Sequence, residues 1–241
     1  MNPCRIAILA KAPLPGLAKT RLAPALGEVA AAALAARLLA HAVAQAATAS
    51  LGPVTLWATP DALHPAFTQA QQRHAVTLAV QPDGDLGVRM ARVFEDGFVH
   101  GGSPILLMGT DAPDLNASVL RQAAAALQWQ HAVFVPALDG GYALVGLRAS
   151  PPSLLHAVFS GMWWSTPHVM AQTRQRLAAA GIAHAKLPSV ADIDEPADLQ
   201  HLPAAWLDDA RSGPPETARQ RPGNSQTRKA APDDGAALEP G

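Results

Sequence analysis

The sequence predicts an α/β fold: a mostly parallel central sheet covered by helices on both faces. Two observations carry that expectation. Apolar runs of strand length alternate along the chain with longer segments of helical spacing. One run, PILLMG at 104–109, is apolar without a break, as a strand covered on both faces must be.

The elements follow in order. Ile6–Ala10 reads as the first strand and Glu28–Ala47 as a long alanine-rich helix. Val54–Ala58 is a strand, Ala62–Arg73 a weaker helix and Val76–Val80 a short strand. In VRMARVFEDGFVHG, Met90, Val93, Phe94 and Phe98 have helical spacing, and Gly101-Gly102 stops the helix. After PILLMG, Asn116 is a good N-cap for the helix NASVLRQAAAALQ. AVFVPA and YALVGL are two further strands, and TPHVMAQTRQRLAAAG is a helix ended by Gly181. Pro196 marks the start of a last helical segment, with Asp194 as its expected N-cap. Residues 1–207 are thus expected to form one domain. From Asp208 onward Leu238 is the only large apolar residue, so 208–241 is expected to be a disordered tail.

Composition excludes several functions. The chain has 241 residues, 49% of them hydrophobic, and a formal net charge of -1. A general nucleic-acid binder would be basic, so positive charge must be used locally. The single Cys4 cannot form an internal disulfide, and no Cys/His cluster has zinc spacing; a reducing cytoplasm is the expected compartment. Residues 1–10 lack the long apolar region of a signal peptide. The long helix carries Glu28, Arg37, His41 and Gln45, which a membrane span does not tolerate cheaply.

Charge and glycine gather where strands end, and in sheets of this kind ligands bind beyond the carboxyl ends. The opening loop AKAPLPGLAKTRL brings Lys11, Lys19 and Arg21 together around Gly16 and Thr20. No glycine precedes Lys19 at Walker spacing, so this is not a kinase-type P-loop. A loop feeding a helix N-terminus nevertheless offers backbone N–H groups to phosphate, and the arginine fork fits phosphate oxygens. A solvated turn is the plainer alternative. In QPDGDLGVRM, Gly84 allows close backbone approach, Gln81 is a candidate to read a base edge and Arg89 to face phosphate; a tight acidic turn explains the same residues. Asp111 follows the most apolar strand, where a carboxylate would hold a metal for a nucleotide diphosphate, whereas Asp114 reads as a turn-former. Asp139-Gly140-Gly141 suits either a hairpin or the same site. Asp192 or Asp194 is the candidate to complete a metal shell. Trp163 and Trp164 suit either stacking on a ligand or core packing. The histidines are scattered, with His168 the one beside a candidate stretch.

AKAPLPGLAKTRL, QPDGDLGVRM, GTDAPDL, PALDGGYALVGL, WSTPHVMAQT and VADIDEPADL, in this order over residues 3–203, strongly resemble one bacterial family. It is the glycosyltransferase-like family of domain of unknown function 2064, one branch of which is associated with arsenosugar biosynthesis. The resemblance implies a GT-A-like, Rossmann-type nucleotide-diphospho-sugar transferase, and more distantly the guanylyltransferases of cofactor synthesis. It implies nucleotide phosphates on the opening loop, Mg²⁺ or Mn²⁺ at Asp111, and Asp139, Gly140 and Gly141 on the acceptor side, where Trp164 is the aromatic candidate from its position. The partners implied are a nucleotide sugar or nucleoside triphosphate and a small-molecule acceptor. One departure stands out: GT-A enzymes usually carry D-x-D at the metal strand, and the only D-x-D here is Asp192-Ile193-Asp194. That departure leaves two alternatives to glycosyl transfer, a pyrophosphate-releasing nucleotidyltransferase and a non-catalytic nucleotide-binding protein.

Overall fold

The computed structural model describes residues 3–99, 101–151 and 153–206; the expected tail, 208–241, lies outside them. Seven strands form one sheet: β1 (Arg5–Lys11), β2 (Val54–Thr59), β3 (Thr77–Val80), β4 (Ile105–Met108), β5 (Ala132–Pro136), β6 (Tyr142–Leu147) and β7 (His184–Lys186). Their order is β3-β2-β1-β4-β6-β5-β7. All pairings are parallel except those of β6, which runs against both β4 and β5. The carboxyl ends of β1, β2, β3, β4 and β5 therefore share one edge with the start of β6.

Strand alternation divides the core into two layers. Ile6, Ile8, Leu56, Leu106, Met108, Val133 and Val135 pack on one face beneath α2 (Glu28–Ala49), α3 (Pro65–His74) and α5 (Ala117–Ala126). Ala7, Ile105, Leu107, Phe134, Val145 and Leu147 face the other way, against α4 (Leu86–Val99), α6 (Ser153–Phe159) and α7 (Val169–Ala179). The β4 residues are buried throughout, which is why PILLMG shows no polar alternation. The mostly parallel sheet with helices on both faces is thus the one expected.

By length and composition α2 could cross a membrane, with a mean hydropathy of 1.5 over its most apolar window. It is instead packed in the fold, burying Leu34, Leu38, Leu39 and Val43. The cap expected for α5 is present: Asn116 Oδ1 accepts from the N–H groups of Ser118 and Val119.

Two expectations are corrected and three elements are added. The weak helix starts at Pro65 rather than Ala62, because His64 Nδ1 accepts the Ala66 N–H and caps it there. Three short elements were also not expected: the four-residue helix at Ala23–Leu26, α6, whose seven residues are too few for a clear period, and the three-residue edge strand β7. Asp194 is not the N-cap of the last segment, a 3₁₀ helix at Pro196–His201. That place is taken by Glu195, and Asp198 Oδ2 accepts from the N–H groups of both Asp194 and Glu195.

Candidate functional site

The opening loop, 12–22, folds in tight turns rather than running straight into the long helix. It feeds a four-residue helix, α1 (Ala23–Leu26), and Gly27 separates α1 from α2. Lys19 and Arg21 therefore do not sit at the N-terminus of α2, as expected, but reach to the far end of the chain. Leu22 is the anchor, fully buried with Ile193, Leu199 and Leu202.

That packing brings three segments together at the sheet edge. Lys19 Nζ lies 2.7 Å from Asp111 Oδ1, and the lysine side chain is only 5% exposed. The same ammonium donates to the Ile193 carbonyl, and the Ile193 N–H donates to the Asp111 carbonyl at 2.9 Å. Thr110 Oγ1 donates to Asp111 Oδ1 at 3.2 Å. Beside this knot Arg21 Nη1 stands 2.7 Å from Asp194 Oδ2, an exposed pair. Lys19 and Arg21 thus each hold a carboxylate that the sequence suggests for metal.

Other sequence candidates have local partners. Gln81 Nε2 donates to the carbonyls of Ala10 and Trp57, bracing the ends of β1 and β2. Only its amide oxygen is left to read a base, which narrows the role expected for it. Arg89 Nε donates to the Gly84 carbonyl, and Asp85 Oδ1 accepts the Val88 N–H, so that stretch is also the tight turn considered for it. Lys11, Thr20 and Asp114 are exposed, and Asn116 N–H donates to the Asp114 carbonyl in the turn expected there. Gly16, at φ 72°, faces the Glu28 carboxylate.

Asp139 lies on the β5–β6 hairpin, where its Oδ1 accepts the Gly141 N–H at 2.8 Å. Gly140, at φ 93°, is pressed against the next wall: a Cβ there would lie 2.1 Å from the Pro167 carbonyl oxygen. The Gly140 carbonyl in turn accepts the Met170 N–H at 2.9 Å. The hairpin and the loop before α7 are therefore locked together, and His168 falls at the N-terminus of that helix without capping it.

Between these walls opens a cleft of about 320 Å³. Asp111, Asp139 and Asp192 line it together, while Asp194 lines a second, acidic hollow that shares Asp139 and Asp192 with the first. Burial and the neighbouring charges of Asp139, Asp198 and Asp111 raise the pKa of Asp192. Of the tryptophans, Trp163 is exposed, and Trp164 forms a cleft wall. Trp164 stacks on Phe159 at 6.4 Å and meets Tyr142 edge-on at 6.3 Å. Tyr142, the only tyrosine, is a site residue that sequence reasoning missed; its one signal was its place directly after Gly141.

Among the described residues no three His, Cys, Asp or Glu stand as a ready-made metal shell. The carboxylates facing the cleft still fit a hard cation. Mg²⁺ and its like are usually held by one or two carboxylates plus substrate phosphates rather than by an all-protein cage. The mutual repulsion around Asp192 is the excess of negative charge such an ion relieves.

The same kind of mixed sheet with helices on both faces is found in a candidate nucleotide-diphospho-sugar transferase and, as a likeness of fold, in cytidylyltransferases. A candidate nucleotide-diphospho-sugar transferase from Desulfovibrio desulfuricans G20 is 29% identical, with a TM-score of 0.72 over 81% of this chain and 84% of that one. The match to a Leptospira borgpetersenii cytidylyltransferase is one of fold alone: 14% identity, TM-score 0.53, 86% and 92% coverage. So is that to 4-diphosphocytidyl-2C-methyl-D-erythritol synthase from Anaerococcus prevotii, at 10% identity, TM-score 0.56, 86% and 99% coverage. No curated protein matches the sequence. The chain belongs to the family of uncharacterized proteins conserved in bacteria, DUF2064, whose model matches residues 42–166.

Proposed function

We propose that the protein transfers a glycosyl group from a nucleotide-activated sugar to a small-molecule acceptor, with Mg²⁺ or Mn²⁺. The observation that carries this reading is the meeting at one sheet edge of Lys19 with Asp111, and of Arg21 with Asp194 beside Asp139 and Asp192. Asp111, with Asp192 or Asp194 beside it, would hold the cation, which supplies charge neutralisation to a departing diphosphate. Lys19 and Arg21, with the backbone of the turn through Gly16, bind phosphate oxygens after giving up their present carboxylate partners. Gln81 offers its amide oxygen to the base, and Arg89 its free guanidinium edge to phosphate.

The acceptor oxygen bonds to the anomeric carbon as the bond from that carbon to the diphosphate oxygen breaks. The nucleoside diphosphate departs with the bonding electrons, and the acceptor proton passes to a carboxylate. Asp139 suits that role: its Oδ1 is fixed by Gly141, and its Oδ2 is left to face the acceptor. Gly140, Gly141 and Trp164 shape the acceptor side.

The test is a thermal-shift screen of nucleoside diphosphates, triphosphates and sugar nucleotides with and without Mn²⁺, followed by product analysis of the best binder. A ligand bound only by the folded chain raises Tm by mass action. Stabilisation by a sugar nucleotide plus Mn²⁺, with nucleoside diphosphate released, is the expected result. Pyrophosphate released from a triphosphate would replace glycosyl transfer by nucleotidyl transfer, the reading that the missing D-x-D at β4 favours. Binding without any turnover across the panel would leave a nucleotide-binding protein.

A further inference from the structure

The shape of the cleft says more about the acceptor. Its rim is charged, with Asp111, Asp139 and Asp192, but its depth is not. The floor is made by Leu9, Leu107 and Val145 from three neighbouring strands, and the walls by Leu86, Met90 and Val169. Leu107 and Val145 are 3% and 0% exposed, so the bottom of the cleft reaches into the layer beneath α4 and α7. Trp164 and Tyr142 close one side with their rings.

A polyhydroxylated molecule seated there would lose its bonds to water without replacement. Each hydroxyl left unsatisfied there carries the full penalty of its lost hydration. Of the polar side chains in the lining besides the rim aspartates, Thr166 Oγ1 already donates to the Trp163 carbonyl, Ser165 stands on the wall, and the Tyr142 hydroxyl is buried with no hydrogen-bond partner among the described residues. A nucleobase is no better suited, since its polar edge asks for several donors and acceptors. The nucleotide's phosphates also belong with Lys19 and Arg21, outside this cleft.

We infer that the cleft takes an acceptor with an apolar body, an aliphatic or aromatic alcohol whose hydroxyl lies at the carboxylate rim. This rests on the transferase reading above and narrows it: the apolar body is buried against the strands, and its single hydroxyl meets Asp139. The transfer balances as before, with the acceptor's oxygen keeping the glycosyl group and its proton going to carboxylate.

The test uses the full chain with butan-1-ol, hexan-1-ol and octan-1-ol as probes and glycerol as the polar control, with affinities read by ligand-observed NMR. Burial of a methylene is worth about 0.8 kcal/mol, so affinity should rise roughly fourfold per added CH₂, with glycerol not binding. Leu86→Asp should flatten that dependence. Leu86 is the first residue of α4, where an aspartate suits the helix dipole and the fold survives. Val169→Thr, a change of similar shape at the opposite wall, should weaken octan-1-ol in the same direction. Affinity independent of chain length, or a chain-length effect untouched by both variants, overturns the inference. Nucleotide titration of the same sample separates the two readings. Nucleotide binding without a chain-length effect removes the apolar acceptor and leaves the transferase. A chain-length effect without nucleotide binding removes the transferase, and with it the acceptor role.

Discussion

The ammonium of Lys19, on the first loop, is held 2.7 Å from the carboxylate of Asp111, at the end of the fourth strand. One partner is nearly inaccessible and the other half exposed, so solvent screens the pair only on the aspartate side. A double-mutant cycle with Lys19→Met and Asp111→Asn should give a coupling energy of about 1 kcal/mol in urea melts, smaller than for a fully buried pair. Lys19→Met alone should cost about 1–3 kcal/mol, because it strips a partner from both Asp111 and the Ile193 carbonyl. Strict additivity would show that the contact does not hold the loop.

Asp111→Asn should keep the fold and lose the Mn²⁺-dependent thermal shift. Asparagine serves a turn as well as aspartate does, but it removes the charge that a hard cation needs. An unchanged Mn²⁺ shift would move the metal to Asp192 and Asp194.

Arg21→Ala separates binding from stability. Its ion pair with Asp194 is exposed on both sides, so unfolding free energy should change by less than about 1 kcal/mol. Nucleotide affinity, by calorimetry, should fall about tenfold, the worth of a charged phosphate contact. Equal affinity in the variant would take Arg21 out of the site.

Gly140→Ala should destabilise the protein by about 1–3 kcal/mol or more, readable as a lowered Tm. It combines a left-handed backbone with a side chain driven onto the Pro167 carbonyl. Wild-type stability in this variant would mean that the hairpin and the loop before α7 are not locked together.

Cys4 should be inert in the native protein. Burial pushes its thiol up to about 12 from 9.0, so it stays protonated at pH 8 and slow toward thiol reagents. The sign of the linkage follows. The folded state holds its proton more tightly than the unfolded one, so this stability is fully present below about pH 9 and lost as pH rises toward 12. A Cys4→Ala variant, compared by denaturant melts from pH 8 to 11, should lose less stability over that range than the wild type.

The sheet was legible in the sequence because β4 and β5 are buried throughout and β1 and β6 largely so, and these show as apolar runs. β7 was not: three residues, two of them His184 and Lys186, at the sheet's edge leave no period to read. Asp111 and the Asp139 hairpin could be singled out because each follows or precedes such a run. The pairing of Lys19 with Asp111 and Ile193 could not, since it depends on Leu22 docking among residues from the far end of the chain. Gln81 shows the opposite failure: a polar residue at a strand end proved to be spent largely on backbone carbonyls.

Because β6 runs against its neighbours, the turn from Ala137 to Gly141 leaves the sheet and re-enters it at the same edge. A parallel connection would have needed a whole crossover to do this. The turn is therefore an exchangeable cassette. Residues could be inserted on the Leu138–Asp139 side at an entropic cost that grows only with the logarithm of length, provided that the Gly140 seat on Pro167 is kept. A longer turn at this point would leave every strand in register.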